Sequence, residues 1–114
     1  MSPAAFSVFV FGIYLAFVGA GFLLIPNKIL PLLKFPKTKE HWIRVLGVVV
    51  GVLAFYYIIA AQNELLVFFW ATIVTRFAVL IGFSLLVALK KAPPMLIVFG
   101  FIDALGAVWT YLQM

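Results

Sequence analysis

Apolar residues form four long blocks along this chain, and polar residues are concentrated in the short segments between them. The apolar blocks cover residues 4–25, 42–61, 65–89 and 94–113. Each block has about the 20 residues that an α-helix needs to cross the hydrocarbon layer of a bilayer. None alternates apolar and polar residues over about ten positions, as a membrane-spanning β-strand does. The pattern therefore predicts an all-α integral membrane protein, a single domain built as a four-helix bundle with up-down topology.

The composition excludes a water-soluble globular domain. Apolar residues make up 68% of the 114 positions and charged residues only 10%, against roughly 45–50% and roughly 25% in soluble domains. These polar side chains are too few to coat a water-facing surface of this size. Because the chain has no cysteine, disulfide exchange, thiolate metal sites and cysteine nucleophiles are excluded as well.

The basic residues predict how the spans are oriented. Seven of the eight Lys and Arg residues lie in or beside the first and third connections, and the second connection, residues 62–64, has none. By the positive-inside rule the first and third connections are cytoplasmic, so both termini are expected on the non-cytoplasmic side. The lysines expected at the membrane surface are Lys28, Lys34, Lys37, Lys39, Lys90 and Lys91.

The first connection, residues 26–41, is the only sizeable segment between the spans. Its three prolines, Pro26, Pro31 and Pro36, prevent a continuous helix. Apolar residues alternate with lysines between them, which is typical of a segment that lies in the headgroup layer with its lysines toward anionic lipid. A linker along the membrane surface is the simplest interpretation, and a site for a lipid headgroup or a partner protein is the alternative.

Two charged residues lie within the apolar blocks, far from any connection. Arg76 and Asp103 are each within about one residue of the centre of their span. An isolated charge at that depth costs at least about 2.5 kcal/mol, so both side chains should face the interior of the bundle. A short turn joins the two spans and makes them antiparallel neighbours, so we expect an ion pair. This pair either fixes helix register or binds a polar group, such as a headgroup, a quinone carbonyl or a proton.

Neighbouring polar residues extend this cluster on the third and fourth spans. Thr72 lies one helical turn before Arg76, and Thr110 lies two turns after Asp103. Residues at these spacings share one face of a helix. We therefore expect both threonines to line a polar seam inside the bundle.

Three polar residues of the second span are further candidates for this cluster. Tyr56 and Tyr57 lie in the outer half of the span, and one of the two hydroxyls is expected to turn toward the level of the charged pair. The alternative for these tyrosines is anchoring in the aromatic belt at the membrane surface. Arg44 lies two residues inside the span, so we expect it to extend to the cytoplasmic headgroups, with a reach toward Asp103 as the alternative.

Small residues predict where helices approach each other closely. Gly47 and Gly51 form a Gly-x-x-x-Gly motif in the second span, and Gly106 lies on the same face as Asp103 in the fourth. Glycine at such positions lets the backbones of two helices come together. Packing within the bundle is one interpretation of the motif, and an interface between subunits is the other.

Four short motifs carry a resemblance to a known family: RVLG at 44–47, YY at 56–57, TR at 75–76 and DALGAVWT at 103–110. Together they resemble small bacterial four-span membrane proteins that are loosely DoxX-like. The resemblance implies a four-helix bundle in a bacterial inner membrane. Relatives of this kind, where a role is known, serve as accessory membrane subunits. The resemblance implies no catalytic residue.

The sequence therefore favours a non-enzymatic multi-pass membrane protein that acts as an accessory subunit, a scaffold or a lipid-binding bundle. The expected partners are membrane lipid and another membrane subunit or a second copy of the chain. No nucleic-acid partner is expected, because no basic face with groove-reading or aromatic elements is present. No cofactor or metal site is expected either, because the single histidine, His41, and the three carboxylates are dispersed.

Two other function classes stay open. A small proton-coupled exporter has a similar length and number of spans, but the first span here contains no charged residue. An enzyme acting on a lipid or a quinone needs a positioned acid or base, and Asp103 is the only deep candidate.

Overall fold

All regular secondary structure described by this computed structural model is helical, which confirms the all-α prediction. The structure describes residues 1–32, 34–37 and 41–114. The helices in these residues are α1 (Pro3–Leu24), α2 (Pro26–Leu32), α3 (Trp42–Gln62), α4 (Leu66–Ala88) and α5 (Met95–Gln113). Four of them, α1, α3, α4 and α5, are long and apolar enough to cross a membrane. Their ends lie within one residue of the ends of the four apolar blocks.

Glycines bring the backbones of α1 and α3 into contact. A Cβ atom on Gly19 of α1 would lie 2.8 Å from the backbone nitrogen of Gly51 and 2.9 Å from the carbonyl oxygen of Gly47. A Cβ atom on Gly47 would lie 2.8 Å from the carbonyl oxygen of Gly19, whereas one on Gly51 would meet nothing within 4 Å. The motif in α3 is therefore used inside the bundle, where Gly47 needs to be glycine and Gly51 contributes only its backbone.

The fifth helix, α5, packs against both α4 and α1. A Cβ atom on Gly100 of α5 would lie 3.1 Å from the Cα of Leu80 of α4. At the other end of α5, the Trp109 ring makes an edge contact with Phe6 of α1, with ring centroids 6.1 Å apart. The order around the bundle is therefore α3, α1, α5, α4. Although α3 and α4 follow each other in sequence, their backbones hardly approach each other, and the rings of Tyr57 and Phe68 make an edge contact between them.

The turn between α3 and α4 ties their ends together and also binds the start of α1. Glu64 has a φ of 53°, and the N–H of Leu65 donates to the carbonyl oxygen of Ala60 at 3.1 Å. This bonding around a left-handed residue is a common way to end a helix. Ser2 caps α1 by accepting from the N–H of Ala5 at 3.1 Å. Ser2 also donates through its N–H and its hydroxyl to the two Glu64 carboxylate oxygens, each at 2.6 Å.

The first connection contains a short helix, α2, that the proline pattern did not predict. Pro26 stands at its first position, where the missing N–H has no helical partner to lose. Pro31 lies in its last turn. Leu30 is buried against Phe22 of α1 and Ile43 of α3. The segment therefore packs onto the ends of two long helices instead of lying free of them.

The lysines expected at the membrane surface are on the outside of the bundle. Five are exposed, namely Lys28, Lys34, Lys37, Lys90 and Lys91. The sixth, Lys39, lies outside the described residues. Exposure on a helical bundle does not fix which side of a membrane these residues face, so the orientation stays a prediction.

Alanine substitution at the α1–α3 crossing tests this packing. Gly47→Ala should lower the free energy of unfolding by about 1–3 kcal/mol, the usual cost of adding a methyl group to a filled core. The new Cβ would meet the backbone of Gly19. Gly51→Ala is the matched control, and its change should stay within about 0.5 kcal/mol. SDS-induced unfolding in mixed micelles, followed by circular dichroism, measures both variants, and equal losses would contradict this crossing.

The contact between Ser2 and Glu64 predicts a pH dependence. The hydrogen bonds from Ser2 lower the pKa of the exposed Glu64 carboxyl below its ordinary value. Because the folded pKa is lowered, this stabilisation is complete above the ordinary carboxyl pKa and is lost as the pH falls through the folded one. A ¹³C titration of the Glu64 carboxyl should therefore have a midpoint below that of an unstructured peptide. Ser2→Ala should raise the midpoint, and an unchanged midpoint would refute the contact.

Candidate binding cleft

A cleft of about 370 Å³ separates α3 from α4 in the middle part of the bundle. The backbones of these two helices hardly approach each other, and the cleft lies in the space between them. Four residues of its lining are exposed at the protein surface, so the cleft opens sideways; they are Leu53, Tyr56, Ala71 and Thr75. The residues that line it are Phe11, Leu15, Leu53, Tyr56, Tyr57, Phe68, Ala71, Thr72, Thr75, Arg76, Val79 and Asp103.

The guanidinium of Arg76 is held by groups from three helices. Only 1% of the residue is exposed. Its Nε donates to the carbonyl oxygen of Thr72 at 3.1 Å, and its Nη2 donates to the hydroxyls of Thr72 at 3.1 Å and Thr110 at 3.0 Å. Its central carbon lies 4.8 Å from the centre of the Phe11 ring, which is a cation–π contact. Contacts from α4, α5 and α1 together make burial of this charge possible.

The Thr110 hydroxyl extends the network from α5 to α1. Its oxygen lies 2.7 Å from the hydroxyl oxygen of Ser7 and 3.1 Å from the carbonyl oxygen of Gly106. The Ser7 hydroxyl lies 2.7 Å from the carbonyl oxygen of Ala4. Each hydroxyl has one proton, so both donate in the same direction, either toward Gly106 or toward Ala4. In both arrangements the Thr110 oxygen still accepts from Arg76.

Gly106 makes room for the guanidinium. A Cβ atom at this position would lie 3.3 Å from Nη1 of Arg76 and 3.5 Å from the Phe11 ring. Among the described residues, Nη1 is the one buried side-chain nitrogen or oxygen without a hydrogen-bond partner. Nη1 therefore forms no hydrogen bond that holds the guanidinium in place. The hydrogen bonds of Nε and Nη2 fix its position instead. A residue expected to pack helices together therefore also shapes the site.

Asp103 shares the cleft with Arg76 but does not form the ion pair that the sequence predicts. The residue is only half-buried, and within the described part of the chain its carboxylate makes no hydrogen bond or ion pair. The hydrogen bonds to Thr72 and Thr110 orient the guanidinium so that its unpaired Nη1 lies against Gly106 and not against Asp103. Asp103 still lies close enough to Arg76 and Tyr57 to interact with them electrostatically. The expected pair becomes two separate groups, a buried cation and a carboxylate at the cleft.

The two tyrosines of α3 take different places on the wall of the cleft. Tyr57 is buried, with its ring centroid 5.4 Å from that of Phe11 and 5.3 Å from that of Phe68. Tyr56 is 56% exposed and lies on the rim. The structure thus buries one tyrosine of the pair beside the cleft and leaves the other at the surface.

Arg44 does not belong to this polar cluster. It is exposed, and its Nη1 donates to the carbonyl oxygen of Leu23 near the end of α1. It therefore satisfies one of the carbonyls that a helix end leaves without a partner. The reach toward Asp103 that the sequence left open is not formed.

Sequence reasoning missed two contributions of α1 to the site. Ser7 and Phe11 lie one turn apart on the same helix face, and both contact the network around Arg76. A polar residue and an aromatic residue four positions apart give a weak signal, because many apolar helices contain such pairs. The seven-residue spacing of Gly12 and Gly19 is a clearer signal that one face of α1 packs closely on another helix.

Comparison with protein-family models, with curated proteins and with solved structures gives no match for this chain. Within the described residues, no group of three or more His, Cys, Asp or Glu side chains is placed to hold a metal ion. The interpretation of the cleft therefore rests on the geometry and chemistry of its own residues.

Replacing Thr110 tests the network. Thr110→Val keeps the shape of the side chain but removes a hydroxyl that accepts from Arg76 and bonds Ser7. It should lower the free energy of unfolding by about 1–3 kcal/mol, because buried polar partners are left unpaired. Thr75→Val is the control, since that residue is exposed at the cleft, and it should cost less than about 1 kcal/mol. SDS unfolding compares the two, and equal losses would refute the role given to Thr110.

Proposed function

We propose that this chain is a multi-pass membrane protein that binds one lipid-soluble, amphiphilic molecule in the cleft between α3 and α4. The cleft itself carries the proposal, because it opens sideways and places a half-buried carboxylate beside apolar and aromatic side chains. In a bundle of four long apolar helices, a lateral opening faces the surrounding acyl chains. A ligand dissolved in the bilayer can therefore enter without passing through water.

The lining of the cleft favours a ligand with an apolar body and one polar group. Aromatic and aliphatic side chains form most of the wall, among them Phe11, Leu15 and Phe68. The polar groups Tyr57 and Asp103 are also part of the lining. Ligand sites commonly have volumes of about 300–1,000 Å³ and combine apolar walls with a few orienting polar groups. The cleft volume of about 370 Å³ lies near the lower end of that range.

The walls of the cleft are supported before any ligand arrives. Arg76 connects α4 to Thr110 of α5, and Thr110 connects to Ser7 of α1. The glycine contacts join α1 to α3, which supplies the opposite wall. A site whose walls are already fixed loses less conformational entropy on binding. This supports a binding role, in agreement with an accessory or lipid-binding bundle, and requires no catalytic step.

The orientation and location belong to the same proposal. We assign the lysine-bearing connections to the cytoplasmic side and both termini to the opposite side, on the strength of the asymmetric charge. A bacterial inner membrane is the proposed location, and the DoxX-like resemblance of the four motifs is its support. Another membrane subunit or a second copy of the chain is the proposed protein partner.

A proton-coupled exporter is the second candidate function. The observation that favours it is the half-buried Asp103, which has no hydrogen-bond or ion-pair partner within the described residues. A carboxylate in that position can exchange a proton against a bound ligand. Unchanged proton flux in proteoliposomes on addition of a cleft ligand would count against export and leave binding in place.

Photo-cross-linking in phosphatidylcholine nanodiscs tests the binding proposal. The probe is a dodecanol with a diazirine in its chain, and mass spectrometry locates the labelled peptides. We expect labelling to concentrate on the stretches that line the cleft, residues 53–57 of α3 and 68–79 of α4. Excess dodecanol should suppress this labelling, because the site holds one molecule.

Filling the cleft provides the matched comparison. Ala71→Phe places a ring at the exposed rim and should reduce labelling of the cleft peptides several-fold. Ile81→Phe adds a ring to the same helix at an exposed position outside the cleft and should leave labelling unchanged. Uniform labelling around the outside of the bundle, insensitive to Ala71→Phe, would refute the proposal.

A further inference from the structure

We infer that the ligand of the cleft is a lipophilic cation, specifically an alkyl chain that carries a protonated primary amine. This inference rests on the proposed function, since it names the chemistry of the molecule that the cleft would bind. It depends on an asymmetry between the two charged residues at the site. The cation of the protein is enclosed, and its carboxylate is presented to the cleft.

Arg76 has little to offer a ligand. Its Nε and Nη2 are engaged by Thr72 and Thr110, and its Nη1 lies against Gly106 with no accessible surface. An anionic headgroup such as a phosphate binds through guanidinium N–H groups that it can reach. Here those groups are enclosed, so an anion has no direct hydrogen bond to gain from Arg76 and meets the carboxylate of Asp103 at the cleft.

Asp103, unlike the enclosed Arg76, is a charged group whose free hydrogen-bonding capacity is accessible from the cleft. It is half-buried at the cleft and has no hydrogen-bond or ion-pair partner within the described residues. An ionised carboxylate only accepts hydrogen bonds, so it selects a ligand that donates them. A protonated amine donates hydrogen bonds and brings the opposite charge, whereas an alcohol brings only one donor and no charge.

The aromatic rings favour the same chemistry. Phe11, Tyr57 and Phe68 line the cleft together, with neighbouring ring centroids 5.4 and 5.3 Å apart. The faces of such rings attract cations within about 6 Å, and the attraction strengthens where water is excluded. Arg76 already uses the Phe11 ring in this way from within the bundle. Tyr57, Phe68 and the exposed rim residue Tyr56 complete the aromatic lining that a bound ammonium group would meet.

Competition against the diazirine-labelled dodecanol tests the inference. The competitors are dodecylamine, N-dodecylacetamide and dodecyl phosphate, which share one chain and differ in the head. They are compared in nanodiscs of phosphatidylcholine, after correction for their partition into the bilayer. Dodecylamine should displace the probe at a concentration at least about tenfold lower than the uncharged amide, the ratio expected for a hydrogen bond to a charged group. Dodecyl phosphate should be the weakest competitor.

Matched amide substitutions assign the preference to one carboxylate. Asp103→Asn should remove most of the tenfold advantage of the amine over the amide, because the negative charge that attracts the ammonium group is lost. Glu64→Gln makes the same chemical change in the exposed turn outside the cleft and should leave that advantage unchanged. If Asp103→Asn does not fold, the comparison of amine with amide on the unaltered protein still decides the matter.

Different results of this competition contradict the preference for an amine and the binding of any ligand in the cleft. Equal displacement by all three competitors, or strongest displacement by dodecyl phosphate, would overturn the amine assignment and leave binding in the cleft intact. An amine preference that survives Asp103→Asn would also overturn it. Failure of every competitor, unlabelled dodecanol included, to protect the cleft peptides would overturn both.

Discussion

The structure depends on how one buried guanidinium is satisfied inside an apolar bundle. Arg76 lies near the centre of its helix, where an uncompensated charge is expensive. Two threonines supply the compensation, because a threonine in a helix can bond its own backbone and still accept from a neighbour. Thr72 does this within α4, and Thr110 does it from α5 while also contacting Ser7 of α1. The hydrogen bonds that offset the cost of burying the charge of Arg76 thus also hold α4, α5 and α1 in register.

The cleft follows from this network together with the glycine packing. Gly19 and Gly47 draw α3 tightly onto α1, and the Arg76 contacts draw α4 onto α5, so no comparable contact remains to close α3 against α4. Their shared turn, anchored by Ser2, fixes only one end of the gap. Asp103 is left at the cleft without an ion pair to Arg76 because the threonine contacts direct the unpaired Nη1 of Arg76 toward Gly106. The packing of the helices and the open cleft, whose carboxylate is not paired with Arg76, therefore arise from the same choice of hydrogen-bond partners.

The sequence predicts the helices well and the partners poorly, for different physical reasons. Helix limits follow from the length of apolar sequence needed to cross a bilayer, and those limits agree with α1, α3, α4 and α5 to within one residue. The inward facing of Arg76 follows from the cost of exposing a charge to lipid. Asp103 and Thr110 lie on the same face of α5, two turns apart. Which of them Arg76 meets therefore depends on the direction in which its long side chain extends along the helix axis, and periodicity does not resolve that direction. The role of Gly19 depends likewise on which helix lies opposite.

The distance from the Arg76 guanidinium to Thr110, compared with that to Asp103, decides which of the two residues binds it. Solid-state NMR in lipid bilayers measures it through the dipolar coupling of ¹⁵N-labelled guanidinium nitrogens to ¹³C in Thr110 and Asp103. If Thr110 binds the guanidinium, the coupling to the Thr110 Cβ is strong and the coupling to the Asp103 carboxyl carbon is too weak for an ion pair. A carboxyl coupling at ion-pair distance, with the Thr110 coupling absent, would contradict it.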